Sequence, residues 1–515
     1  KPRLRPPILS SDLLSLAMDR EEFRRQGKAM VDFIADYFAS FRQRQVVPDV
    51  RPGYLRPLIP AEPPQAGEPF ENVMADLERV VLSGFHAYYP TANTFPSILA
   101  DMLSDAIGCI GFSWIASPAC TELETVMMDW LAKALGLPPI TSSGGGSGGS
   151  GGGGVIQGSA SEATLVIFLS ARNLAIQRLQ AQRPEAQQQP SLALSRLVAY
   201  ASDQSHSSVE RAAMLAFVQL RKLPTDGKRS LRGDTLARAV AEDRARDSSL
   251  FWLLITTLGT TNSCAFDNLA ELGEVCQSEG LWCHVDAAYA GASLICPSTD
   301  TSPTESSFHP KQLADSFNFN PGKWLQITFD CSALWLKDSS KVVNTFNVDP
   351  LYLQHEFSGL VPDYRDVHWL HSLVRQRLHC TTAALADSVG SAFSLAEDLV
   401  RSSRSYGIEG LQSYIRKHIR LAKQFEELVT ADDRFEIVEE VLFGLVCFRL
   451  KARLGSRLYR RIRVDGRIHL IASEFEASDT FFIRFAVCSE FCEAADIRYA
   501  YDVISELANE VLSKK

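Results

Sequence analysis

The chain has 515 residues, of which 46% are hydrophobic and 22% charged, with a formal net charge of -9. Length alone gives roughly two to four structural units with room for a large core. The acidic balance argues against nucleic acid as the main partner, because phosphate binding needs a basic surface; no apolar run is long enough for a membrane span, and none near the start reads as a secretory signal.

Residues 1–17 read as a loose, proline-containing leader. A helix starts at Asp19, with Glu22 three residues on as a capping-box-like pair. Phe23, Met30, Val31, Ile34, Phe38 and Phe41 fall on one face, and Pro48 and Pro52 close the segment. A second amphipathic helix is expected at 70–82. The apolar stripe of this region fits either a second subunit or the chain's own surface. A third helix is expected at 120–135, stopped by Gly136. Thr141–Gly154 is a glycine and serine run that reads as a flexible loop and not as a phosphate loop, because it lacks the Gly-Lys-Ser/Thr ending. From Val155 to about 340, β-rich runs (197–201, 250–257, 281–285) alternate with helical stretches (232–245, 268–279). That alternation predicts an α/β domain with a mainly parallel sheet covered on both faces. After about 406 a long helix (407–430), strand-like runs (435–449, 480–488) and a closing helix (494–513) suggest a smaller α+β domain.

The eleven cysteines are scattered, mostly in apolar runs such as those around Cys109, Cys283 and Cys447, and none forms a C-x-x-C pair. They read as buried free thiols in a reducing compartment, the cytosol, and provide no metal site.

Three segments carry chemistry. His284-Val-Asp-Ala-Ala-Tyr-Ala-Gly291 puts Asp286 at the end of a buried strand, where open α/β sheets bind ligands and where a carboxylate needs a cation. Phe317-Asn-Phe-Asn-Pro-Gly-Lys-Trp324 sets Lys323 in an aromatic surround that lowers an amine pKa and makes it nucleophilic. Gly158-Ser-Ala-Ser-Glu162 opens a helix whose N-terminus suits a phosphate. Each feature alone has a plainer reading: a hydrogen-bonded structural Asp, a snorkelling surface Lys, an ordinary N-cap. An aldehyde for the lysine, a ring cation for the aspartate and a phosphate for the helix start together describe pyridoxal 5′-phosphate (PLP).

The sequence resembles the group II PLP-dependent amino-acid decarboxylases, and within them the aromatic-L-amino-acid (DOPA) decarboxylases of the insect type. The resemblance is carried by Pro48-Asp-Val-Arg-Pro-Gly-Tyr-Leu-Arg, Phe85-His-Ala-Tyr-Tyr-Pro-Thr-Ala-Asn, Ile110-Gly-Phe-Ser-Trp-Ile-Ala-Ser-Pro-Ala-Cys-Thr-Glu-Leu-Glu124, Gly154-Val-Ile-Gln-Gly-Ser-Ala-Ser-Glu-Ala, Ser202-Asp-Gln-Ser-His-Ser-Ser-Val-Glu-Arg211, Thr257-Leu-Gly-Thr-Thr-Asn-Ser-Cys-Ala-Phe-Asp-Asn268 and the Asp286 and Lys323 segments. It implies PLP fold type I and a homodimer with shared active sites. The N-terminal helical segment would span 1–95, the PLP-binding α/β domain 96–375 with a mostly parallel seven-stranded sheet, and the α+β domain 376–515. It also implies roles. Lys323 resembles the Schiff-base lysine, Asp286 the pyridinium partner, and His206 the imidazole that stacks on the ring and meets the substrate carboxylate. Ser159, Ala160, Ser161 and Asn320 resemble the phosphate cup, with Thr261, Asp267 and Ala288 as further cofactor-side positions. Tyr88, Tyr89, Pro90 and Thr91 resemble the substrate pocket wall, Ile110 and Phe112 residues reaching in from the partner subunit, and Tyr364 the mobile-loop tyrosine that protonates the substrate carbon.

The implied reaction is loss of the carboxylate of an aromatic L-amino acid as CO2, leaving the amine. DOPA or 5-hydroxytryptophan fits the motifs best. Histidine or tyrosine decarboxylation, or a catalytically impaired PLP-binding homologue, stays open. Insect aldehyde synthases of this family carry Asn where His206 stands, so His206 favours simple decarboxylation. Three departures matter. A stretch before Phe85, including a pocket Trp of the family, is missing. Gly322 replaces the His that DOPA decarboxylases carry there and the Ser of histidine decarboxylases. Residues 366–405 do not match. One codon choice for Ala396–Arg401, read one base later, encodes Leu-Lys-Ile-Trp-Phe-Val, the family's helix; a shifted reading frame is therefore one explanation, and transcript sequencing tests it.

Overall fold

The computed structural model describes residues 18–44, 46, 54, 57, 70–72, 74–75, 94–107, 114, 117–138, 152–182, 196–247, 250–296, 314–327, 331–346, 384–451, 454–475, 479–487 and 489–513. The chain divides into two compact units. One draws on residues up to 87, 457–470 and 503–515; the other comprises 88–456 and 471–502.

In the first unit, helix α1 (Arg20–Ser40) begins as its sequence predicts: the Asp19 carboxylate accepts from the Glu22 backbone N–H at 2.8 Å. None of its side chains is buried, and Phe23 and Val31 are 67% and 44% exposed. Residues 70–72 and 74–75 of the expected second helix are helical; the rest of it lies outside the described residues.

The second unit is built on a seven-stranded sheet. Its strands are β1 (Gly153–Gln157), β2 (Leu197–Ser202), β3 (Gln219–Leu223), β4 (Leu250–Thr257), β5 (Trp282–Asp286), β6 (Ser316–Phe319) and β7 (Ser332–Leu336). Their order is β1-β7-β6-β5-β4-β2-β3. Only β7 runs against the rest: it pairs antiparallel with both β1 and β6, and all other pairs are parallel. Every side chain described at 253–255 and 282–286 is buried, as a sheet covered on both faces requires.

Two apolar layers cover the sheet. On one face Ile156, Tyr200, Leu254, Cys283, Val285, Phe317, Phe319 and Trp335 pack with Met127, Met128 and Leu131 of helix Pro118–Ala134 and with Leu236, Val240, Leu272 and Cys276 of the crossover helices Gly233–Asp247 and Leu269–Glu279. On the other face Val155, Ala199, Leu253, Ile255, Trp282 and Leu334 pack with Ala163, Val166 and Ile167 of helix Ala160–Gln182 and Val209 and Ala212 of helix Ser207–Leu215. Alternation along each strand produces this division. None of the eight described cysteines is in a disulfide, and seven of them are buried.

The sequence expectation fails at the glycine run, because Gly153 and Gly154 belong to β1. A Cβ on Gly154 would lie 2.7 Å from Trp335 Nε1 and 2.8 Å from Met128 Cβ, so glycine there makes room for the neighbouring strand and helix. Residues 141–151 lie outside the described residues. The long C-terminal helix also starts earlier than expected: Ala384–Thr430 is continuous except at Gly407, whose φ of 65° and ψ of 172° break it at the predicted start. A four-stranded antiparallel sheet of β8 (Phe435–Ile437), β9 (Leu445–Leu450), β10 (Ile471–Phe475) and β11 (Thr480–Ala486), in the order β10-β11-β9-β8, packs on this helix. Phe425 stacks on Phe485 at 3.8 Å between ring centres and meets Phe448 edge-on at 5.5 Å.

Candidate active site

The strand directions bring the three chemical segments to one edge. Ser159 follows β1, His206 follows β2, Asp286 ends β5 and Lys323 follows β6. All four strands run the same way, so these residues lie at the C-terminal edge of the parallel strands, where open α/β sheets bind ligands. A polar band crosses the sheet there. Thr257 is paired with Asp286, Asp286 with Asn318, and Gln157 with Ser332, while Asn318 Nδ2 donates to Ser332 Oγ at 3.3 Å. By alternation all five side chains share the face covered by helix Ala160–Gln182.

Asp286 is buried, and its Oδ1 accepts from the Ala288 N–H at 3.0 Å. The loops after β5 and β6 are laced together: Ala287 N–H donates to Asn318 O at 2.9 Å, and Asn320 N–H to Ala288 O at 3.0 Å. Lys323 is half-buried on the single-turn helix Pro321–Trp324, and its N–H reaches back to Asn320 O at 3.0 Å. His206 is the N-cap of helix Ser207–Leu215. Its Nδ1 accepts from the Ser208 N–H at 3.2 Å and lies 2.8 Å from Ser208 Oγ. An acceptor Nδ1 puts the proton of the neutral ring on Nε2, leaving Nε2–H as a donor. His206 keeps an exposed edge, yet the protein around its ring pushes the imidazole pKa down; Asp286 pulls it up, and Lys323 and Arg211 push it further down. The Asp286 and Lys323 charges thus both act on the His206 ring.

At the helix start, Ser159 and Glu162 form a reciprocal cap. Ser159 Oγ accepts from the Glu162 N–H at 3.3 Å, and the Glu162 carboxylate accepts from the Gly158 N–H at 3.0 Å. Ala160 and Ser161 form the first turn of this helix, which runs 23 residues and directs its positive end at the sheet edge. Thr261 is half-buried in the turn after β4. Asp267 lies deeper: its two oxygens accept from the Leu231 and Thr257 N–H groups at 2.9 and 2.8 Å, and burial pushes its pKa up to about 7. It fixes the end of β4 beside Asp286. Tyr88, Tyr89, Pro90, Thr91, Ile110, Phe112 and Tyr364 lie outside the described residues, as do residues 366–383.

The buried side-chain oxygens Gln157 Oε1, Thr257 Oγ1 and Asn320 Oδ1 have no hydrogen-bond partner among the described residues. Buried polar groups are rarely left so, and this edge suits a polar ligand; the N-terminus of helix Ala160–Gln182 suits an anionic end. A lysine amine, a buried carboxylate beside it and a helix N-terminus fit the aldehyde, ring nitrogen and phosphate of PLP. Sequence reading passed over two other groups. His284, fully buried two residues before Asp286, holds Ser316 Oγ with Nδ1 at 2.8 Å. His418, in the long C-terminal helix, accepts from Trp324 Nε1 at 3.0 Å. His284 lay in a quoted motif; nothing near His418 in the sequence marks it.

Fold and site together define a fold-type-I PLP enzyme. The family model described as "Pyridoxal-dependent decarboxylase conserved domain" matches residues 52–379 and 396–451. The chain belongs to the pyridoxal-dependent decarboxylases. It is 49% identical to the aromatic-L-amino-acid decarboxylase of Manduca sexta over 97% of this chain and 94% of that protein. A crystal structure of Oryza sativa TDC with PLP and tryptamine has a TM-score of 0.83 at 32% identity, covering 96% of this chain and 99% of that one. Catharanthus roseus tryptophan decarboxylase in complex with L-tryptophan has a TM-score of 0.81 at 32% identity, over 96% and 99%. The family match is interrupted at 380–395, inside the stretch where the sequence departs from the family.

Proposed function

We propose that this PLP-dependent carboxy-lyase acts on an aromatic L-amino acid of the DOPA or 5-hydroxytryptophan type, releasing CO2 and the amine. The observation that carries the substrate class is the likeness to the Manduca sexta aromatic-L-amino-acid decarboxylase over nearly the whole chain. Bound PLP supplies an electron-accepting ring for the pair left behind when the carboxylate departs.

The chain's own residues do the rest. Lys323 offers the amine that holds the cofactor aldehyde. The Asp286 carboxylate, fixed by the Ala288 N–H, would hold a proton on the ring nitrogen of bound PLP. Ser159, Ala160, Ser161 and Asn320 receive the phosphate, while Thr261, Asp267 and Ala288 shape the cofactor side. With PLP bound, His206 would lie against the ring, with its Nε2–H as the donor available to the substrate carboxylate. The motifs would assign Tyr88, Tyr89, Pro90 and Thr91, with Ile110 and Phe112 from a partner subunit, to the pocket for the aromatic side chain. Tyr364, by its motif, would supply the proton that Cα takes up.

A homodimer with shared sites accords with the amphipathic helix α1, which buries none of its side chains. Among the described residues no helix is long and apolar enough to cross a membrane; a cytoplasmic location accords with the described cysteines, none of them in a disulfide. An amine-product assay across DOPA, 5-hydroxytryptophan, tyrosine and histidine tests the reading. DOPA or 5-hydroxytryptophan should be the best substrate by kcat/KM; a preference for histidine or tyrosine, or no amine from any of them, overturns it.

A further inference from the structure

Lys323 sits on a helix of one turn, Pro321–Trp324, too short to be held by its own hydrogen bonds. Its neighbour Trp324 is fully buried. The indole stacks on Tyr289 at 4.9 Å and 21°, and meets Phe443 edge-on at 5.7 Å. Tyr289 stands three residues after Asp286, and its hydroxyl accepts from the Gly444 N–H at 3.2 Å. Trp324 Nε1–H donates to His418 Nδ1 at 3.0 Å, and His418 Nε2–H donates to Ser489 O at 3.0 Å. The two bonds fix one neutral tautomer of a fully buried imidazole, whose pKa burial pushes down to about 4. Successive residues on a helix are about 100° apart, so a rotation of the Trp324 side of this turn swings the Lys323 side with it.

We propose that His418 is a positioning residue for Lys323, acting through the indole of Trp324. The stacked rings of Trp324 and Tyr289 tie the lysine turn to the aspartate turn, and the His418 bond sets the angle at which the indole sits. The long C-terminal helix thereby determines where the lysine amine stands relative to Asp286. This rests on Lys323 being the cofactor lysine.

The test is cofactor retention by the holoenzyme, followed through its visible absorbance at about 420 nm during dialysis. Trp324→Phe keeps an aromatic ring beside Tyr289, though a smaller one, and removes the donor. His418→Gln keeps a donor for Ser489 O and withdraws the acceptor from Trp324; His418→Asn keeps an acceptor near the Nδ1 position. Trp324→Phe and His418→Gln should each lose PLP about tenfold faster than wild type, the scale of one buried hydrogen bond left half-made. Both should show a lowered kcat, while His418→Asn stays near wild type in both readouts. Wild-type retention in Trp324→Phe and His418→Gln with only a lower Tm makes the clasp merely structural and overturns the proposal. So does equal loss in His418→Asn and His418→Gln. If His418→Gln does not fold, Trp324→Phe decides alone. A wild-type chain that never acquires the visible band overturns both this proposal and the functional reading beneath it.

Discussion

Charge placement at single residues decides what this site can do. Asp286→Asn keeps the shape of the side chain and its Ala288 contact but cannot hold a formal negative charge against the ring nitrogen. The holoenzyme variant should lose about 100-fold or more in kcat with a near-unchanged Tm, the scale set by removing one preorganised electrostatic group; a kcat within a few-fold of wild type contradicts the role. Burial also makes two histidines sensitive to acid. His284 and His418 are held near 4, whereas the unfolded chain protonates histidine near 6.5. The unfolded state therefore binds more protons as pH falls through that window, and each group costs up to about 3 kcal/mol by the bottom of it. Asp267, pushed up to about 7, takes its proton in the folded state and works in the opposite sense. Two against one leaves stability falling from pH 6.5 to about 5, with a slope that grows to just under about one proton. Urea titrations of the apoprotein should show that fall, and a shallower one in His418→Asn; a flat or rising stability sinks it. Asp286 and Lys323 were legible because each stands in a short motif whose chemistry is explicit. His418 was not, because its meaning comes from a contact 94 residues away in the chain.

Elements were legible in proportion to their burial. β4 reads as a strand because 251–255 is continuously apolar, β5 because it is a short β-rich run, and the helices follow their periodicity. β3 (Gln-Leu-Arg-Lys-Leu) is an edge strand with partly exposed charges, β6 has four residues, and β1 opens in a glycine run; none of them carries a local pattern strong enough to find. Two turns should be intolerant of change. Gly259, at φ 83°, follows β4, and a Cβ there would lie 2.5 Å from Ala290 Cβ in the loop after Asp286. Gly259→Ala should lower the unfolding free energy by about 1–3 kcal/mol through backbone strain and overpacking together. At the phosphate-cup helix, Ser159→Ala removes the cap of Glu162 N–H and should cost about 1 kcal/mol. It should also weaken PLP binding, whereas a stability loss with unchanged PLP affinity removes Ser159 from the cup.

At the scale of the whole molecule, alternating strands and helices announce the α/β class, and the three motifs all fall at the C-terminal edge of the parallel strands. The antiparallel β7 and the interleaving of 457–470 and 503–515 with the N-terminal region were not legible, because chain direction and long-range pairing leave no local pattern. Helix α1, with Phe23 and Val31 open to solvent, predicts a chain that sediments as a dimer; Phe23→Asp with Val31→Asp should shift it toward monomer and lower activity with it. The central claim is that one lysine and one aspartate at the sheet edge run a decarboxylation. It is tested most directly by counting labelled CO2 released from carboxyl-labelled L-DOPA by the PLP-loaded chain and by its Lys323→Ala variant. The account predicts one CO2 for each dopamine formed by the wild type and neither product above background from the variant. Equal release from both, or none from a wild type that holds its cofactor, would contradict it.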